Sequence, residues 1–215
     1  MNKKLYIFGG GGFAREVAWL VAEINRASPS NHGWDLVGFV EESDEHVGQN
    51  LNGIPIVSPG DISPTKSEAY AVVAIGATGT REKAVAQARS LELDFATLIH
   101  PSVLFDKASV RIGKGSIICA GNIMTVDINV GNHVIINLDC TIGHDCIIED
   151  LVTISPGCHL SGYTTVRRSV YLGTGAVTIE KHEIGSHAIV GAGAVVVKDI
   201  PANATAVGVP ARPIS

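Results

Sequence analysis

The chain is 215 residues long, with a formal net charge of −5 at pH 7, room for one large domain or two small ones. The acidic balance and the lack of a basic stripe argue against nucleic-acid binding, and no run reaches the roughly 20 apolar residues of a membrane span. Gly9–Gly12 interrupts the short apolar run near the start, so a signal-peptide layout is missing and a soluble, cytoplasmic protein is expected.

Residues 1–100 read as alternating strands and helices. Leu5–Phe8 is a short buried strand, followed by Gly9–Gly12 and a helical pattern from Ala14 to about Arg26. Leu36–Val40 is a second strand ending in Glu41-Glu42, and Ile54–Val57 a short third. Tyr70–Ile75 is a buried strand closed by Gly76, with a helix from about Thr80 to Leu91. Phe95–Ile99 ends the domain. The alternation predicts a small Rossmann-like α/β domain with a parallel sheet.

Gly9-x-Gly11-x-x-Ala14 fits the looser form of the dinucleotide fingerprint. Glycines let backbone N–H groups approach a phosphate, and a helix starting near Phe13 offers its positive end. The same pattern describes a strand–helix turn that needs glycine only for geometry. Half a dinucleotide fold suits a nucleotide-sugar diphosphate better than NAD.

Residues 101–215 carry a different signal. Stepping in sixes from Ile112 to Val196 gives fifteen positions, of which fourteen are large and apolar and only Thr178 is not. The next residue is often glycine, as at Gly113, Gly131, Gly143, Gly173, Gly185 and Gly191. Four residues after the apolar one the side chain is small or β-branched, as at Ser116, Cys140, Cys146, Cys158, Thr164 and Ala176. A helix needs a period of about 3.6 and a half-buried strand a period of 2. A period of six means short strands between sharp turns, stacked as a parallel β-solenoid.

This repeat resembles the hexapeptide-repeat acyltransferases. The resemblance implies three hexads per coil, hence five coils from fifteen hexads, and a left-handed wind. The ending, Val190–Val196 followed by Val207-Gly208-Val209-Pro210-Ala211-Arg212-Pro213, resembles that family too. With the amino-terminal domain included, nearly the whole chain is similar to the bacterial PglD/NeuD group of sugar acetyltransferases. Their activities are acetyl-CoA-dependent N-acetylation of a nucleotide-linked amino sugar and O-acetylation of sialic acid.

The four cysteines all lie in the repeat. Three sit at the small-residue phase, where Cys acts as a compact hydrophobe. Cys140 and Cys158 are one coil apart and would stack, so a disulfide is conceivable, although buried thiols suit a cytoplasmic protein better.

Acetyl transfer to an amine needs a base for the proton and donors for the oxyanion. Of the eight histidines, His32 and His46 fall in polar loops and His100 near the domain junction. His133 and His187 read as solvent-facing turn residues, His159 as another turn residue, and His182 as part of an irregular, protruding hexad. His144 is set apart by Asp145 beside it and by Gly162 one coil later, which would leave space above the imidazole. Without the family, a turn histidine with an acidic neighbour is also a fair reading.

The resemblance implies the roles. The family carries Asn, then seven residues later His followed by Asp or Glu, and Asn137, His144 and Asp145 match. His144 is then the general base, Asp145 stabilises its imidazolium, and Asn137 orients substrate. A backbone N–H near Gly162 is the candidate oxyanion donor, with no covalent acetyl-enzyme. Acetyl-CoA contacts map to Thr153, Thr174 and Ala192, in a groove between subunits of a homotrimer. Nucleotide-sugar contacts map to Gly11, Gly12, Phe13, Glu41, Glu42 and Gly76. The chain departs from the family at Phe13 and Thr153, where relatives often have His, and at Glu41-Glu42, where Asp-Asp is commoner.

The leading expectation is an acetyl-CoA-dependent N-acetyltransferase, with a UDP-4-amino-4,6-dideoxy sugar as acceptor. The alternative is O-acetylation of sialic acid or another sugar hydroxyl. A zinc lyase on the same solenoid would need three converging imidazoles, and no His pair has converging phase, so no metal site is expected. A non-catalytic nucleotide-sugar-binding protein is the remaining class, against which His144-Asp145 argues.

Overall fold

The computed structural model describes residues 3–28, 33–41, 45–62 and 69–214. Glu42 and His32, both singled out from the sequence, lie outside the described residues. The chain divides into two compact units, Met1–Pro101 and Ser102–Ser215.

The first unit contains β1 (Lys3–Phe8), α1 (Gly12–Ala27), β2 (Trp34–Val40), β3 (Asn50–Leu51), β4 (Ile54–Val57), β5 (Ala69–Val73), α2 (Thr78–Ser90) and β6 (Asp94–Phe95). Its sheet runs β3-β4-β2-β1-β5-β6. All neighbours are parallel except the β3–β4 hairpin. Leu5, Ile7 and Phe8 are buried in β1, and α1 turns Ala14, Val17 and Val21 inward at i, i+3 and i+7. The α/β reading therefore stands. The sequence reading missed β3, although its turn carries the Asn-Gly signal of a hairpin: Asn52 and Gly53 have φ of 53° and 81°.

In the second unit the strands from Arg111–Ile112 to Val195–Val196 pair in parallel eighteen residues apart, as Ile135 with Thr153 and Thr153 with Tyr171, while the end pairings shift to nineteen at Leu104–Ile123 and sixteen at Ile189–Thr205. Three faces result. One stacks Ile123, Thr141, His159, Val177 and Val195, the next Asn129, Ile147, Thr165 and Glu183, the third Ile135, Thr153, Tyr171 and Ile189. The expected coil of three hexads is what forms.

Each hexad sends two side chains inward. From Ile118 to Val196 the apolar phase is buried throughout, and so is the small phase at Ser116, Val134, Cys140, Cys146, Cys158 and Ala188. Thr178 fits because its hydroxyl is bonded: it accepts from the Ser161 N–H at 3.2 Å and lies 3.0 Å from the Thr164 hydroxyl. Buried Asn122 is likewise satisfied, donating to the carbonyls of Cys119 and Asn137 and accepting from the Cys140 N–H. Polar groups enter this core only with partners.

The corners have a phase of their own. From residue 115 to residue 193, every sixth residue has positive φ. Glycine fills five of these positions and Asp or His five more, the types that tolerate left-handed backbone best. The corner N–H donates to the preceding coil, as Asp145 to the Val126 carbonyl at 3.2 Å, Tyr163 to His144 at 2.9 Å and Lys181 to Gly162 at 3.1 Å. At the far end Thr205–Val207 pairs with Ile189–Val190 and is covered by antiparallel Arg212–Pro213. That hairpin protects an edge that would otherwise template pairing with another chain.

Candidate active site

His144, Gly162 and Glu180 occupy successive rungs of one corner, and the register brings the first two together. A Cβ built on Gly162 would stand 2.6 Å from Cε1 of His144 and 2.7 Å from Nε2. The ring therefore fills the space that glycine leaves. On its other side Nδ1 lies 2.8 Å from Oδ2 of Asp145. A carboxylate only accepts, so Nδ1 carries the proton and donates, leaving the Nε2 lone pair for chemistry. The imidazole is 53% exposed, so a substrate can reach it. The Tyr163 ring meets it edge to face, with centroids 5.2 Å apart.

Other residues matched to the family lie elsewhere on the prism. Thr174 and Ala192 are exposed and stack on a neighbouring corner, where the Gly193 N–H donates to the Thr174 carbonyl at 2.8 Å. Asn137 is half-buried beside that same corner, its Oδ1 accepting from the Leu138 N–H at 2.8 Å. Thr153 is buried on the face between Ile135 and Tyr171. All four cysteines are free and buried. The Cys158 neighbour and burial hold the Cys140 thiol well above the ordinary range, and burial raises that of Cys146.

In the first unit the glycine loop leads into α1 without a side-chain cap at Gly11 and without an acid in the first turn. The helix N-terminus is thus bare toward an anion. Gly11 and Gly12 are exposed and Phe13 half-buried. Glu41 folds over Gly10, where a Cβ would come 1.6 Å from its Oε1, and its Oε2 is 3.0 Å from Nδ1 of His46. A cavity of about 350 Å³ opens here, lined by Gly9, Gly10, Glu41, Ile75, Lys83 and Gln87 among others. Gly76 has open space above its α-carbon.

Sequence reasoning missed three features of this region. Lys83 and Gln87 line the cavity from α2, whose face carries little apolar pattern. Arg81 is buried at 1% exposure and donates to the carbonyls of Ile75 and Gly76 at 2.8 and 3.1 Å, fixing the loop after β5. Burial lowers its pKa to about 10, so it is charged at neutral pH. Arginine is seldom fully buried, which hid this role.

Three histidines differ from expectation. His133 is buried at 7% exposure, because its ring packs where a Gly115 Cβ would be. His159 sits on a strand, with Nδ1 2.9 Å from the Thr141 hydroxyl. His182 keeps the register and holds Asp199 at 3.0 Å. Among the described residues no three His, Cys, Asp or Glu side chains group as a metal site.

The PglD N-terminal domain family matches residues 4–88. The acetyltransferase domain of PglB from Neisseria gonorrhoeae, solved with acetyl coenzyme A, superposes over 100% of both chains at 32% identity with a TM-score of 0.88. The chain belongs to the hexapeptide-repeat sugar acetyltransferases of the PglD/NeuD family. Its solenoid is the left-handed β-helix of that family. A histidine-to-asparagine variant of perosamine N-acetyltransferase from Caulobacter crescentus, solved with CoA and GDP-perosamine, is 30% identical, with 99% of this chain and 97% of that one covered and a TM-score of 0.84. Curated relatives are matched over part of their length. A galactoside O-acetyltransferase of Escherichia coli is 32% identical over 54% of this chain and 59% of its own.

Proposed function

We propose that this protein is an acetyl-CoA-dependent N-acetyltransferase acting on a nucleotide-linked amino sugar. The observation that carries the reading is the His144 imidazole, with Nδ1 tied to Asp145 at 2.8 Å and Nε2 lying against the space above Gly162. Nε2 takes the proton of the acceptor amine as its nitrogen attacks the thioester carbonyl. Asp145 stabilises the imidazolium that forms, and the proton then passes to the departing CoA sulfur. The Gly162 region supplies the oxyanion donor, and Asn137 orients substrate. No covalent acetyl-enzyme is needed, in keeping with cysteines that are all buried.

The nucleotide diphosphate lies at the bare start of α1, against Gly11, Gly12 and Phe13, with Glu41 and Gly76 at its other end. Support comes from the uncapped helix, the adjacent cavity and the GDP-perosamine bound by the Caulobacter relative. A 4-amino-4,6-dideoxy sugar on UDP is the proposed acceptor.

Acetyl-CoA lies against Thr153, Thr174 and Ala192. Within one chain these stand on a corner and a face apart from the His144 corner, so a site using both sets is completed by a second copy. A homotrimer with its sites between subunits provides that arrangement, and a measured solution mass three times that of the chain is the expected result.

The deciding experiment measures CoA release with UDP-, dTDP- and GDP-amino sugars and with free sialic acid. Release with one amino sugar, reduced about 10²-fold by His144→Ala with acetyl-CoA affinity retained, is expected for loss of a general base. Undiminished turnover in that variant overturns the assignment. The match to galactoside O-acetyltransferases favours a second reading, a sugar hydroxyl as acceptor, which activity on sialic acid alone would select.

A further inference from the structure

Tyr163 stands out at the edge of the candidate site. Its backbone has φ of 58°, left-handed like every corner of this phase. Glycine, Asp or His takes ten of these corners, and Leu151, which does not belong to that set, is buried at 3% exposure. Tyr163 is 51% exposed, so core packing does not explain its place there. It grips His144 twice. Its N–H donates to the His144 carbonyl at 2.9 Å, and its ring stands at 88° to the imidazole with centroids 5.2 Å apart.

A histidine ring turns about a broad, roughly two-fold torsion at its Cβ–Cγ bond. Asp145 fixes one nitrogen, and Gly162 admits the ring without holding it. We propose that Tyr163 is a positioning residue, whose edge-to-face contact holds the His144 imidazole in the orientation that presents Nε2 to the acceptor. The proposal rests on the reading of His144 as the base. Aromatic edge-to-face pairs bias a population by roughly three- to tenfold, and loss of orientation is felt directly in rate.

The test compares Tyr163→Asn with Tyr163→Phe, each alone and combined with His144→Ala. Asparagine tolerates positive φ, so Tyr163→Asn removes the ring while suiting the corner. The expected result is a kcat roughly three- to tenfold lower for Tyr163→Asn, with an unchanged KM for acetyl-CoA and a thermal midpoint at or above that of wild type. Tyr163→Phe restores kcat, and Tyr163→Asn costs nothing further in the His144→Ala background. In proton–carbon NMR spectra the His144 ring protons lose the aromatic ring-current shift in Tyr163→Asn and keep it in Tyr163→Phe. That readout is independent of acetyl transfer. Full kcat in Tyr163→Asn, a penalty that persists without His144, or failure of Tyr163→Phe to restore kcat would overturn the proposal. A His144→Ala enzyme as active as wild type identifies the base assignment as the failed step, while the NMR shift still reports whether the two rings touch.

Discussion

The imidazole of His144 occupies the space that a side chain on Gly162 would fill: a methyl group there would stand 2.6 Å from Cε1 and 2.7 Å from Nε2. The opposing group is the end of a flexible side chain, so Gly162→Ala is relieved by swinging the ring outward and not by shifting the coil. The expected outcome is a thermal midpoint within a few degrees of wild type and a turnover lower by at least about tenfold, the scale of a misplaced general base. Steady-state kinetics beside a thermal melt check this. A variant with full turnover would show that the glycine has no part in presenting the ring.

Much of this arrangement is legible in the sequence, because a hexad repeat converts spacing directly into stacking. The apolar phase gives the core, and the count of eighteen places Gly162 beside His144. What spacing cannot say is which way a corner side chain leans. His133 and His144 both read as corner histidines with a glycine one coil away. The His133 ring leans back over Gly115 and is buried, whereas that of His144 leans toward Gly162 and stays exposed. The positive-φ phase was also hidden, since Leu151, Tyr163, Ser169 and Lys181 take it without the glycine or Asp that announces such a corner.

Thr178 shows how a polar residue survives at an apolar position. Its hydroxyl accepts from the Ser161 N–H and pairs with the Thr164 hydroxyl. Valine has nearly the same shape but removes both hydroxyl bonds, while the Ser161 N–H keeps the Thr178 backbone carbonyl at 3.3 Å. Thr178→Val is expected to cost about 0.5–1.5 kcal/mol of stability, the net worth of a lost hydrogen bond whose donor keeps another acceptor. Urea unfolding measures it, and equal or greater stability in the variant would mean that the hydroxyl chain contributes nothing.

Lys181 carries the opposite expectation. It is exposed, with φ of 63°, a conformation that costs an L-residue about 1–2 kcal/mol. Glycine avoids that cost and gives back about 0.5–1 kcal/mol through its freer unfolded chain. Lys181→Gly should therefore raise stability by about 0.5–1 kcal/mol. A higher urea midpoint with unchanged slope is the signature, and a lower midpoint would show that the lysine contributes contacts outweighing its backbone.

Gly10 offers the sharpest probe of the first unit. Its α-carbon lies beneath Glu41, so the methyl of Gly10→Ala would come 1.6 Å from Oε1 and must push the carboxylate away from His46. If Glu41 helps hold the nucleotide sugar, the KM for that substrate should rise roughly tenfold, as for loss of one charge-assisted hydrogen bond. The KM for acetyl-CoA, whose proposed contacts all lie in the solenoid, should stay unchanged. Equal rises in both constants would point instead to general damage, and no rise in either would remove Glu41 from the acceptor site.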